Sequence, residues 1–175
     1  MSPDDLQTLI RAIEAKDLST AAHTWRVVMY ARAMAEAGGL DRDRIERLSI
    51  AAALHDVGKL DIPSSILQKP TRLSPEEFEV IQQHPVLGYA RMVTMDVEDS
   101  DVLDLVRYHH ERVDGQGYPY GIGGAEIPEI AKYFAVIDTF DALTSVRPYR
   151  QRIGKDAGDR AIDELRAGVG SRYCA

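Results

Sequence analysis

The sequence predicts an all-α fold, on three observations. Apolar residues recur at helical spacing through most of the chain, two segments open on a serine–proline–acid signature, and no stretch alternates as a strand with hairpin turns would. Ser2-Pro3-Asp4-Asp5 places serine at an N-cap and proline at the first helical position, and Leu6, Leu9, Ile10 and Ile13 follow on one face. A second helix is predicted over 20–37, stopped by Gly38-Gly39. A third starts near Asp41, runs through Ala51-Ala52-Ala53-Leu54 and ends near Gly58. Residues 61–72, with Pro63 and Pro70, read as a loop. Ser74-Pro75-Glu76-Glu77 repeats the opening signature with Glu77 at the capping-box position, ahead of Phe78, Ile81 and Gln82. Further helices are predicted over 85–95, 100–109, 128–143 and 155–167. Residues 114–126 carry glycine at 115, 117, 121, 123 and 124, and a loop of that length between helices is usually functional.

Length and charge narrow the functional classes. A chain of 175 residues is the size of one domain with its own core, and residues 1–175 are read as a single unit. With 21 basic against 28 acidic residues, the net charge of -7 argues against a long nucleic acid as ligand. A small phosphate ligand is still allowed, because bound metals can supply local positive charge. The lone cysteine, Cys174, excludes a disulfide framework and a thiolate metal site. Asp4 and Asp5 stand where a secretory signal would be basic, and no apolar run is long enough to span a bilayer. The expected compartment is the cytoplasm.

The histidines carry the chemistry. A single helical histidine more often serves structure than metal, but here five fall in a pattern with buried-looking acids. His55-Asp56 closes an apolar, alanine-rich helix, His109-His110 precedes the glycine-rich loop, and Asp138 interrupts the apolar run 133–137. A carboxylate in such a setting is costly unless paired or metal-bound. Imidazoles and carboxylates without thiolates suit iron, manganese or an open zinc site.

These residues resemble a known family. His55-Asp56-Val57-Gly58-Lys59 resembles the HDxGK signature of the HD superfamily of metal-dependent phosphohydrolases. The run from His109-His110-Glu111-Arg112 to Asp114-Gly115-Gln116-Gly117-Tyr118-Pro119 resembles the HHExxDGxGYP segment of the HD-GYP subfamily. The run 138–150 is similar to the DxxDALTSxRPYR block that follows it. The resemblance spans residues 12–150 and implies an HD-domain helical bundle with a glycine-rich GYP loop. It further implies two divalent metal ions, iron or manganese, with His23, His55, Asp56 and Asp138 at one and Asp56, His84, His109 and His110 at the other. Adjacent helical residues diverge by about 100°, so His109 and His110 can share an ion only at the end of their helix.

The implied activity is hydrolysis of a cyclic dinucleotide, cyclic di-GMP above all, with Asp56 and Lys59 in the catalytic machinery. Lys59, Arg147 and Arg150 become phosphate contacts by resemblance. Spacing alone leaves the arginines equally open to a solvated helix end. Tyr118 stays open between loop packing, a purine edge and a partner contact. Some relatives carry a glutamate four residues before the first histidine, where it helps hold a third metal; Ser19 stands there instead. A two-metal site is therefore expected, with linear pGpG as the main product and GMP slow to appear. Family members usually add another helix after the segment similar to 168–173, so the chain reads as a domain excised from a longer regulatory protein. Two alternatives remain: another nucleotide substrate such as cyclic GMP-AMP, or an inactive metal-bound module that binds diguanylate cyclases through the GYP loop.

Overall fold

A computed structural model of the chain describes residues 2–16, 18–145, 154 and 156–174, and for residues 3 and 18–21 the backbone alone. Helix α1 (Pro3–Lys16) opens where Ser2 accepts a hydrogen bond from the Asp5 amide. Helix α2 (Leu18–Ala37) ends at Gly38-Gly39, where Gly39 takes the positive φ that glycine allows without strain. Asp41 then caps α3 (Arg42–Leu54), its carboxylate accepting from the Arg44 N–H at 2.9 Å. The predicted third helix extends to Gly58, but α3 stops at Leu54 and a 3-10 turn, Val57–Asp61, takes over. The apolar pattern continues through the break, which is why periodicity alone places the end too late.

The predicted loop 61–72 contains a one-turn helix, α4 (Ser64–Leu67). The Ser74–Glu77 capping box forms in full at the start of α5 (Pro75–Ile81). Helices α6 (His84–Thr94), α7 (Ser100–Tyr108), α8 (Glu129–Thr144) and α9 (Ala157–Ala167) follow, each close to its predicted span. The glycine-rich stretch is a loop, broken only by a 3-10 turn at Gly124–Glu126. Among the described residues there is no strand, only an isolated bridge between Val169 and Tyr173. None of the described helices is long and apolar enough to cross a membrane.

Helix α3 is the central rod. Ala51, Ala52 and Leu54 are fully buried, and the two small side chains let neighbouring helices approach closely. Helix α2 packs on α3 and α8, α7 packs between α3 and α8, and α6 lies on the 57–61 turn. Leu54, Met92, Leu105 and Phe134 are fully buried, each worth about 1.5–3 kcal/mol of hydrophobic stabilisation. This core sets the ends of α3 and α7, the start of α6, the first half of α2 and the middle of α8 around one point.

Gly58 holds that point together. A Cβ there would lie 1.9 Å from the carbonyl oxygen of His84 and 2.5 Å from the Gly88 amide. Only glycine lets α6 reach the turn that follows Asp56.

Candidate metal centre

Five segments deliver side chains to one place. His23 comes from α2, His55 and Asp56 from the end of α3, and His84 from the first residue of α6. His109 and His110 leave the end of α7, the position from which adjacent residues could face one ion, and Asp138 comes from α8. Three overlapping sets have ligand atoms within 4.8 Å of one another: His23, His55 and Asp138; His55, Asp56 and His109; and His84, His109 and His110.

The protons on these rings are assigned by their partners. Nδ1 of His55 faces the Ala52 carbonyl at 2.7 Å, and Nδ1 of His84 faces the Ile81 carbonyl at 2.8 Å. Nδ1 of His109 faces the Leu105 and Val106 carbonyls, each at 3.1 Å. Nδ1 of His23 faces the Asp141 carboxylate at 2.8 Å. Each of these acceptors requires a proton on Nδ1, which leaves each Nε2 as a bare lone pair in the neutral ring. Yet Nε2 of His23 lies 3.2 Å from Nε2 of His55, and Nε2 of His84 lies 3.2 Å from Nε2 of His109. Lone pairs so directed repel one another unless a cation sits between them. The donor set fits a divalent metal, with each ring oriented from behind as metal-binding histidines usually are.

Asp56 joins the two groups. Its Oδ2 is 3.2 Å from Nε2 of His55 and its Oδ1 is 3.3 Å from Nε2 of His84. The carboxylate is buried, and burial would raise its pKa, but His55 and Lys59 outweigh burial and hold it well below the usual range. Lys59 comes closer than a rim position, with Nζ 2.6 Å from Asp56 Oδ2. Burial pushes the pKa of His84 down to about 4. It also pushes His109 and His110 well below the ordinary imidazole value. Burial would lower His55 as well, but Asp56 reverses the direction. Near neutral pH, His84, His109 and His110 are therefore deprotonated and ready as ligands.

Two neighbours of the centre, Asp141 and Arg26, are not singled out from the sequence, although Asp141 falls within the DxxD block. Asp141, one helical turn after Asp138, is fully buried and binds His23, Ser145 and Arg26. Arg26 donates to both of its oxygens, at 2.5 and 3.0 Å. Burial raises the Asp141 pKa, and the His23 and Arg26 hydrogen bonds overcome that and hold it below the ordinary range. The signal available in sequence was a second carboxylate at i+3 on an apolar helix.

The GYP loop closes the other side. Tyr118 turns inward, its ring stacked on His110 at 4.5 Å between centroids, and burial pushes its pKa above the ordinary phenol value. Gly117 permits this: a Cβ there would lie 2.6 Å from the His110 carbonyl oxygen. Buried Glu111 ties the loop to α7 by accepting the Tyr120 N–H at 2.7 Å. Beside the donors opens a cavity of about 370 Å³, reaching from His109, His110 and Asp138 to Phe78, Gln82 and Gln116. Arg147 and Arg150 lie outside the described residues, as does the side chain of Ser19.

Comparison with known proteins agrees with this architecture. Residues 7–174 match the family model described as HD domain. The chain is 41% identical over 155 residues to the cyclic di-GMP phosphodiesterase response regulator RpfG of Xanthomonas campestris, covering 88% of this chain and 41% of that protein. It is 35% identical over 154 residues to 3'3'-cGAMP-specific phosphodiesterase 2 of Vibrio cholerae, covering 85% of this chain and 29% of that protein. The chain thus spans less than half the length of these curated relatives. Among solved structures it resembles the HD domain of the Listeria monocytogenes phosphodiesterase PgpH in complex with cyclic-di-AMP. The TM-score is 0.69 at 16% identity, covering 91% of this chain and 81% of that one.

Proposed function

This chain belongs to the HD domain family, and from that premise we propose that it hydrolyses a cyclic dinucleotide, cyclic di-GMP in the first instance, at a two-metal centre. The observation that carries the reading is the Asp56 carboxylate, whose two oxygens face two different histidine groups. His23, His55 and Asp138 would hold one ion, His84, His109 and His110 the other, and Asp56 both. The donor chemistry suits iron or manganese. When bound, two such cations lower the pKa of water and offset charge on a phosphodiester.

The protein's own groups do the rest. His23, His55, His84 and His109 hold their single N–H on Nδ1, away from the reacting centre, so their orientation does not change as substrate arrives. Lys59 keeps an ammonium beside Asp56 with donors to spare for a phosphate oxygen or a leaving group. Arg147 and Arg150 grip the substrate phosphates. With serine rather than glutamate at position 19, that position offers no carboxylate for a third ion, and linear pGpG accumulates ahead of GMP.

A second substrate, cyclic GMP-AMP, is supported by the Vibrio cholerae relative. The catalytic unit spans residues 1–175 and works in the cytoplasm. Any docking of a diguanylate cyclase on the GYP loop would use Tyr120, 44% exposed, since Tyr118 faces inward.

The test is a time course. Protein loaded with manganese or ferrous iron is incubated with cyclic di-GMP and with cyclic GMP-AMP, and products are separated by chromatography. Disappearance of cyclic di-GMP with build-up of pGpG is expected. No turnover of either dinucleotide would reject the reading, and GMP appearing without pGpG would reject the account of the product.

A further inference from the structure

We infer that Phe78 and Gln82, on α5, form a purine-binding subsite at the mouth of the metal cleft; the inference rests on the proposed reading of that cleft as a dinucleotide site. Phe78 is an apolar ring left 47% exposed at the rim of a polar cavity. It meets Tyr118 in a T-shaped arrangement, with centroids 6.4 Å apart and planes at 77°, so the two rings are not stacked and at least one Phe78 face is left for a ligand. Tyr118 has spent one face on His110. Among the described residues lining the cavity, Phe78 is the large apolar ring left exposed.

Gln82 stands one helical turn after Phe78, on the same side of the helix. Its carboxamide lines the cavity and has no side-chain hydrogen bond among the described residues, and the same holds for Gln116 on the facing loop. A carboxamide offers a donor and an acceptor side by side, which matches the edge of a purine. A ring face for stacking, amides for the edge and metal donors at the far end together call for a ligand with a flat base and a phosphate. That ligand is a nucleotide.

Stacking of a base on an aromatic ring is sequence-tolerant and is lost on substitution by alanine. Phe78→Ala should weaken binding of cyclic di-GMP by roughly tenfold, and weaken GMP more than UMP, because a purine offers the larger face. Gln82→Ala should act in the same direction. Val80→Ala, on the same helix but away from the cavity, is the control.

The measurement is calorimetric titration of the metal-loaded wild type and variants with cyclic di-GMP, GMP and UMP, alongside metal content. Weaker binding in Phe78→Ala with metal content unchanged supports the subsite. Wild-type affinity in Phe78→Ala overturns it, as does failure of the wild type to bind cyclic di-GMP. A wild type that binds cyclic di-GMP through Phe78 but cleaves no dinucleotide keeps the subsite and overturns only the hydrolytic reading.

Discussion

The Asp141 carboxylate lies 2.8 Å from Nδ1 of His23, across 118 residues of sequence, and so fixes which nitrogen of that ring is free to bind metal. Arg26 secures Asp141 from the other side, through both carboxylate oxygens. The chain Arg26–Asp141–His23 is a charge relay of position rather than of protons. It sets one ring's orientation from the protein interior.

Asp141→Asn should therefore weaken one metal group and spare the other. An amide offers a single acceptor oxygen where His23 and Arg26 both donate, and its NH₂ adds a donor to a site already full of them. Loss of such an outer partner lowers metal affinity about 10–100-fold. Competition titration with a metal-binding dye should show this loss at the His23–His55–Asp138 group only. Equal weakening of both groups would count against the assignment.

Asp56→Ala should remove both ions together, because its two oxygens serve both groups. Metal analysis of purified protein gives the answer directly. A variant that keeps two equivalents would show that Asp56 is not shared.

Gly58→Ala should destabilise the fold and empty the centre at once. The new methyl would collide with backbone of His84 and Gly88 rather than with a flexible side chain. Overpacking of this kind costs typically about 1–3 kcal/mol. Urea denaturation should show the lower midpoint, and metal content should fall because His84 is pushed away. An unchanged midpoint with full metal content would contradict the packing argument.

The metal-free protein should lose stability as pH falls from about 6.5 toward 4. His84 titrates near 4 in the folded protein against an ordinary value of 6.5, so within that window the unfolded chain binds the extra proton. His109 and His110 act in the same sense, and His55, whose pKa is raised, in the opposite one. Denaturation midpoints measured at stepped pH on chelator-treated protein should decline across this range. A midpoint that is flat from pH 7 to pH 4 is the contrary result.

Much of this was legible before any coordinates. The Ser74–Glu77 capping box is a local pattern, and it forms down to its two reciprocal hydrogen bonds. The same holds for the glycine stop after Ala37 and for His109-His110 at a helix end. Arg26 with Asp141 was not legible, because the pairing depends on how α2 packs on α8 and leaves no trace in spacing. The exposure of Phe78 was not legible for a related reason. Its position fits an apolar helical face, but periodicity does not say whether another element will cover that face, and the described residues leave it 47% exposed.

The donors are drawn from residue 23 at one extreme and residue 138 at the other, with the remaining ones spread between. The proposed pair of cations would together tie five segments as cross-links do, closing long loops whose entropy otherwise favours the denatured chain. Binding free energy and folding free energy are then one quantity. Amide exchange in α2, α6, α7 and α8 should slow together when the ions bind, as a single cooperative unit rather than helix by helix. Metal supply would act on this protein's lifetime as well as on its chemistry.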